Sequence, residues 1–263
     1  MKQFFKDVKK YRSYISYSVK CGLKSEVAES YLNWVWWVLE PFCLMLIYAF
    51  IFGILFERTE NYFPVFIFAG LTGWNFFSNC VKHSVKLVKK YKSVVSRVYL
   101  PKVLLILIQI GINFVKMCIS LALCFAMMLF FRVPVAPVIF MIIPVLLVLV
   151  LFTFAVMCYE MHFGVYVDDL VNVTGIVLRL LFYMTGIFFS IEERLGGKYP
   201  ELTILLGKVN PVAYLLTSLR QALIYCTMPD LKLLGVWFLI SAVLAIFGIN
   251  LIYKNENSYV KAI

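Results

Sequence analysis

The stretch IFMIIPVLLVLVLFTFAVM, from Ile139 to Met157, carries no charged side chain and one hydroxyl, that of Thr153. A helix rises 1.5 Å per residue, so a run of this length covers the roughly 30 Å of hydrocarbon in a bilayer. A strand of a membrane barrel would alternate apolar and polar residues, and this stretch does not. Helix is also the spanning form that satisfies its own backbone hydrogen bonds in lipid.

The pattern recurs along the chain. Apolar runs cover Trp34 to Phe56, Phe63 to Val81, Val103 to Phe131, Pro137 to Tyr159, Leu170 to Ser190 and Leu233 to Tyr253. The expected fold is therefore an all-α polytopic membrane protein with six transmembrane helices. The 263 residues are 63% hydrophobic and only 15% charged, with a mean hydropathy of +0.89, which excludes a soluble domain. Val212 to Cys226 is apolar too, but it is short for a crossing and contains Arg220. It reads as a re-entrant or interfacial piece.

Charge gives the orientation. Lys2, Lys6, Lys9, Lys10, Arg12, Lys20 and Lys24 precede the first run; Lys82, Lys86, Lys89, Lys90, Lys92, Arg97 and Lys102 fall between the second and third; Lys254 and Lys261 follow the last. With six crossings these all lie on one side. The other side holds Arg58, Arg132, Arg194, Lys198, Lys208, Arg220 and Lys232, spread over longer connections. The denser side is cytosolic by the positive-inside rule, so both termini are expected there, in a cytoplasmic membrane. The asymmetry accounts for the net charge of +11 without nucleic acid as a partner, and it suits anionic membrane lipids. The basic N-terminus lacks the apolar core of a cleaved signal peptide. Among seven cysteines, Cys43, Cys118, Cys124 and Cys158 fall in apolar runs and read as small core hydrophobes. No cofactor or metal site is expected.

Two basic segments have helical periodicity. Phe4, Val8, Tyr11, Ile15, Val19 and Leu23 recur every three or four residues between lysines, the pattern of an amphipathic helix lying in the interface over residues 1–30. Val81, Val85, Val88, Val95 and Val98 form one face of a second helix over residues 82–101, with Lys82, Lys86, Lys89 and Arg97 on another, before Pro101. That helix is either a solvated topology determinant or a lever pressed into a cytosolic partner. The transmembrane domain then occupies residues 31–263, with an extracytoplasmic loop at 191–228.

Charges inside apolar runs cost about 2.5–3.5 kcal/mol at a helix centre on insertion scales, which makes Glu40, Lys116 and Arg179 functional candidates. Lys116 and Arg179 either attract an anionic headgroup or pair with carboxylates such as Glu40 and Glu160. Glu40-Pro41 marks a kink. Aromatic faces stack on ring-shaped ligands without fixing a register. Trp34, Trp37, Tyr48 and Phe52 in the first run, with Tyr183 in the fifth, fit that task, and Trp34, Trp36 and Trp37 equally fit an interfacial belt. Glu160, His162, Asp168 and Asp169 are the one cluster suited to a membrane-embedded glycosyl- or acyltransferase. Gly197-Lys198 and Gly207-Lys208 lack the rest of a P-loop, so the chain has no ATP site of that kind.

Several segments, in order, resemble the permease subunits of ABC transporters that export O-antigen, capsule and teichoic-acid polymers. They are Tyr31 to Pro41 at the first span, Phe63-Pro64-Val65-Phe66 with Gly70 at the second, and Val98-Tyr99-Leu100-Pro101-Lys102 closing the coupling helix. Leu180 to Phe188 follow at the fifth span, then Asn210-Pro211 with Tyr214 and Arg220 before the last. The family often has a proline where Ile106 stands, another where Gly186 stands, and Arg-Asp in place of Asp168-Asp169; Gly186 still permits a helix break. The resemblance implies a homodimer with two copies of a cytosolic ATPase that carries ATP and Mg²⁺. It implies export of a polyprenyl-pyrophosphate-linked polysaccharide, with small lipids or drugs as the alternative cargo. It also implies ATPase contact through Val85, Lys86, Val88, Lys89, Arg97 and Pro101, and an outer gate of short re-entrant helices near Asn210, Pro211, Tyr214 and Arg220, after the polar break at Glu192, Glu193, Arg194, Gly196-Gly197 and Pro200.

Overall fold

A computed structural model describes residues 2–28, 33–55, 62–191 and 199–262. Tyr31, Leu32, Phe56, Arg58 and the run from Glu192 to Lys198 lie outside the described residues. Among those described, every regular element is helical. In chain order they are α1 Lys2–Lys10, α2 Arg12–Val27, α3 Trp36–Tyr48, α4 Phe63–Ser84, α5 Leu87–Lys90, α6 Lys92–Val95 and α7 Val103–Phe130. Then come α8 Ile142–Tyr166, α9 Leu170–Met184, α10 Pro200–Ile204, α11 Pro211–Arg220 and α12 Leu231–Ala262.

Among the described residues, four helical stretches are long and apolar enough to cross a membrane: Trp36–Gly53, Val103–Phe130, Pro137–Tyr166 and Leu231–Tyr259. A fifth arises if Pro200–Val209 and Pro211–Tyr225, bent by 86° at their junction, count as one. The protein is thus a multi-pass, all-helical membrane protein. Two of the runs read as spans from sequence differ from these four. In α4, Thr72, Asn75, Ser78 and Asn79 interrupt the apolar pattern. In α9 the helix has 15 residues, about 22 Å at 1.5 Å each, because it stops before Gly186, which has φ 64°. A left-handed residue just past a helix end satisfies its last carbonyls and suits glycine.

The core forms around α4. Its residues from Val65 to Trp74 are buried without exception, and it touches α3, α7, α8, α9 and α11. A helix carrying asparagines is tolerated at this place because its polar residues face protein or line a recess. The longest contact between helices joins α8 to α12.

The N-terminal segment is two helices broken at Tyr11, and the expected face of Phe4, Val8, Tyr11, Ile15, Val19 and Leu23 is its half-buried side. That face packs on the bundle: Val19 and Gly22 sit on Gly111 and Ile112 of α7, and the Phe4 ring lies 6.3 Å from that of Phe154. The segment between α4 and α7 corrects the expected single helix over 82–101. It is two one-turn helices, α5 and α6, separated at Tyr91. Lys86, Lys89, Lys90 and Lys92 crowd like charges into two turns, which disfavours a continuous helix. Val85, Val88 and Val95 are buried as expected, whereas Val98 is 62% exposed. Cys124 and Cys158 are buried, but Cys43 and Cys118 lie on outward faces, correcting their reading as core residues.

Candidate functional site

Two polar recesses flank α4. The larger, about 750 Å³, opens between α4 and α9. From α4 it takes Trp74, Ser78 and Lys82, four residues apart, with Asn79 beside them; from α9 it takes Asn172, Arg179, Phe182 and Tyr183. Lys82 and Arg179 are both exposed on its walls. The smaller recess, about 170 Å³, lies between α3, α4 and α7 and is lined by Trp37, Glu40, Asn75, Asn79, Asn113 and Lys116. Asn79 lines both. Together they hold cations, amides and aromatic rings, groups that donate to phosphate and sugar oxygens and stack on sugar faces.

Of the aromatic candidates, Tyr48 and Phe52 meet the end of α9. The Phe188 ring lies 4.7 Å from Tyr48 and is stacked 4.5 Å from Phe52. It is also 6.4 Å from Tyr183, while Phe182 bridges to Trp74 at 5.5 Å. A continuous aromatic wall therefore joins α3, α4 and the broken end of α9, with Tyr183 exposed in the groove. Trp37 belongs to the smaller recess. Trp34 stands apart, exposed on a 3-10 turn, Asn33–Val35, before α3. Trp34 therefore does not continue the α-helical face of Trp37 and Tyr48, since a 3-10 turn advances a residue by a different angle.

Lys116 is ion-paired with Glu26 of α2 and lies 5.6 Å over the Trp37 ring. A carboxylate partner was one of its two expected roles, but the partner differs from Glu40 and Glu160, because α2 folds back along α7. The enzyme-like cluster is divided. Thr174 donates to Glu160 at 2.8 Å, His162 Nδ1 lies 2.7 Å from the Tyr259 hydroxyl, and Asp168 takes Lys89.

Around α11, each of the four expected residues has a defined position. Asn210 Oδ1 accepts from the N–H groups of Val212 and Ala213 at 3.1 and 3.3 Å, capping α11, and Pro211 occupies its first turn. Tyr214 donates to the Asp230 carbonyl at 2.6 Å. Arg220 is buried and donates to the carbonyls of Phe66 at 3.1 Å, Gly186 at 2.8 Å and Ile187 at 2.8 Å, its guanidinium 3.7 Å from the Phe66 ring centre. A Cβ at Gly70 would overlap that guanidinium.

On the basic side, Lys86 and Arg97 are exposed, Val85, Val88 and Pro101 are buried, and Lys89 pairs with Asp168. The Asp168 carboxyl is held below its ordinary range first by the Lys89 hydrogen bond and charge, then by Lys86. The sequence reading missed Trp74, Ser78, Asn79 and Asn172, and placed Lys82 on the basic segment rather than in the groove. A polar stripe along one face of an apolar run was the feature that marks the α4 residues.

These features define a helical membrane protein with a polar recess inside its bundle, a transporter's architecture rather than an anchor's. A family profile described as ABC-2 type transporter matches residues 18–224, and the chain belongs to that family. It is similar to the O-antigen export system permease protein RfbA of Myxococcus xanthus, 25% identical over 245 residues that cover 93% of each chain. It is also similar to the O-antigen export system permease protein RfbA of Klebsiella pneumoniae, 21% identical over 235 residues and 88% of each chain.

Proposed function

We propose that this chain is the membrane-spanning subunit of an ATP-driven exporter that carries a lipid-linked polysaccharide across a bacterial cytoplasmic membrane. It works as a homodimer with two copies of a separate ATPase, which binds ATP and Mg²⁺. Six crossings, with α4 and α9 as the two less apolar ones, leave both termini and the 82–101 segment cytosolic. The bent pair α10–α11, within residues 191–228, then forms the re-entrant outer gate, held by Asn210, Pro211, Tyr214 and Arg220.

The observation that carries this reading is the groove between α4 and α9. Lys82 and Arg179 supply charge for a diphosphate, Asn79 and Asn172 supply amides for sugar hydroxyls, and Trp74 and Tyr183 supply stacking faces. A groove built for small apolar cargo would dispense with that polar set. The aromatic wall of Tyr48, Phe52 and Phe188 continues it along the path of the glycan. Exposed Lys86 and Arg97, with Lys89, present the ATPase with charge over a buried footing of Val85, Val88 and Pro101.

The test is reconstitution of the chain with its ATPase in liposomes. Lipid-linked glycan extracted from the producing cells should stimulate ATP hydrolysis and be translocated, and Trp74→Ala with Arg179→Ala should abolish the stimulation. Stimulation by small hydrophobic amines alone would remove the polymer reading. Charge reversal at Lys86 and Arg97 should separate ATP hydrolysis from export without dispersing the dimer.

A further inference from the structure

We propose that Glu256, near the cytosolic end of α12, is the positioning residue that holds the coupling segment against the bundle while the ATPase drives it. The proposal rests on the exporter reading above. A lever transmits force only if its ends are fixed, and the segment from Val85 to Lys102 is pinned at both.

At its start, the Val85 carbonyl packs directly on Gly164 of α8, where a Cβ would overlap it. At its close, Lys102 is held by Glu256. The Lys102 backbone N–H donates to Oε1 at 3.0 Å, and the Lys102 ammonium lies 3.6 Å from the same oxygen. The Tyr99 hydroxyl donates to Oε2 at 3.2 Å. Both members of the ion pair are nearly enclosed, Lys102 at 3% and Glu256 at 6% exposure. The ammonium also sits 5.4 Å over the Tyr99 ring.

One carboxylate thus takes two hydrogen bonds and one ion pair from the four residues Tyr99 to Lys102. An enclosed carboxylate held in this way is fixed in place, because any rotation leaves a charge or an N–H unpaired.

The rest of α12's end is tied down as firmly. Tyr259 is fully buried and its hydroxyl meets His162 of α8 at 2.7 Å, and the Tyr253 hydroxyl donates to Asp7 of α1 at 2.8 Å. The last helix therefore links the N-terminal helix, α8 and the closing end of the coupling segment into one body. Displacement of α5 and α6 by the ATPase is delivered to α7 and α12 together, rather than absorbed at Pro101. Losing the anchor would let the segment swing at that joint, so ATP would be hydrolysed without moving the spans.

The test uses the full complex in liposomes, with lipid-linked glycan from the producing cells as the transported probe. Two variants are compared with wild type: Glu256→Gln, which keeps the shape and removes the charge, and Tyr99→Phe, which removes a single hydroxyl from an exposed ring. The quantity read is glycan exported per ATP hydrolysed. The expected result is at least a tenfold fall for Glu256→Gln and a two- to fivefold fall for Tyr99→Phe, with ATP hydrolysis within twofold of wild type. Unchanged export per ATP in assembled Glu256→Gln overturns the proposal. If that variant fails to assemble, Tyr99→Phe decides in the same way. A purely structural role would lower assembly and leave the ratio intact, which also overturns it. Failure of the wild-type complex to export glycan at all would instead strike at the exporter reading.

Discussion

Arg220 on α11 donates to the carbonyl of Gly186 at 2.8 Å, the residue at which α9 breaks. The break exposes backbone acceptors inside a bundle, and the guanidinium fork satisfies Gly186 and Ile187 while its Nε reaches Phe66. Leaving a buried acceptor unsatisfied costs about 1–3 kcal/mol. Arg220→Met should therefore destabilise the folded chain by at least about 3 kcal/mol. Arg220→Lys keeps charge but cannot fork and should cost about 1–2 kcal/mol. Thermal unfolding in detergent checks both, and a melting temperature unchanged in Arg220→Met would exclude the clamp.

Glycine substitution should change sign along the chain. In an exposed helix interior, Gly→Ala stabilises by about 1 kcal/mol. At Gly175 and Gly235 nothing lies within 4 Å of an added Cβ, and alanine there should be neutral or stabilising. At Gly164 the Cβ would meet the backbone carbonyl of Val85, which a side-chain rotation cannot relieve. Gly164→Ala should lower stability and loosen the start of the coupling segment, read as faster hydrogen exchange over 85–90. Equal behaviour of the three variants would contradict this packing.

The tie between Lys89 and Asp168 gives a pH dependence of definite sign. Hydrogen bonding and charge from Lys89 depress the Asp168 carboxyl below its ordinary 3.8. A depressed carboxyl contributes fully above its ordinary pKa and loses that contribution as pH falls through the folded value. Protection of residues 87–92 from hydrogen exchange, corrected for intrinsic rates, should stay flat from about pH 5 to 8 and fall only below about 4. Asp168→Asn should show the acidic level at neutral pH. A transition near pH 6 in the wild type would point to a histidine instead.

How far the sequence reached depended on whether the chemistry was local. The apolar period of Phe4, Val8, Tyr11, Ile15, Val19 and Leu23 is a property of neighbouring residues, and it marks the half-buried side of both α1 and α2, although the break at Tyr11 was not read. At Gly186 the sequence only permitted a break: the apolar run continues to Ser190, and the helix stops short of it. Glu26 as the partner of Lys116 was not legible, because it depends on α2 folding back along α7, a contact between segments some ninety positions apart in sequence. Trp74, Ser78 and Asn79 were hidden by averaging: the run Phe63 to Val81 is apolar enough as a whole to read as a span, and the face that carries them appears only when residues are sorted by face. The coupling segment was misjudged in its continuity, since valine periodicity survives in two separate helical turns as well as in one long helix.

The two cations once read as equivalent should separate in function. Arg179 is exposed on the wall of the larger groove, whereas Lys116 is already paired with Glu26. A diphosphate that reaches Arg179 gains a charge-assisted, bidentate contact, worth about 1.5–3 kcal/mol. To reach Lys116 it must displace a carboxylate, and the gain is largely offset. With geranylgeranyl diphosphate as probe, Arg179→Ala should weaken binding about tenfold, equivalent to about 1.4 kcal/mol. Lys116→Ala should change it less than about threefold. Glu26→Gln, which frees the ammonium, should tighten binding, and only while Lys116 is present. Because exposed pairs couple by about 0.2–1 kcal/mol, the effects of Glu26→Gln and Lys116→Ala should be non-additive by that amount. Equal losses at Lys116 and Arg179 would mean that the pair with Glu26 opens whenever substrate binds, and that both recesses form a single site.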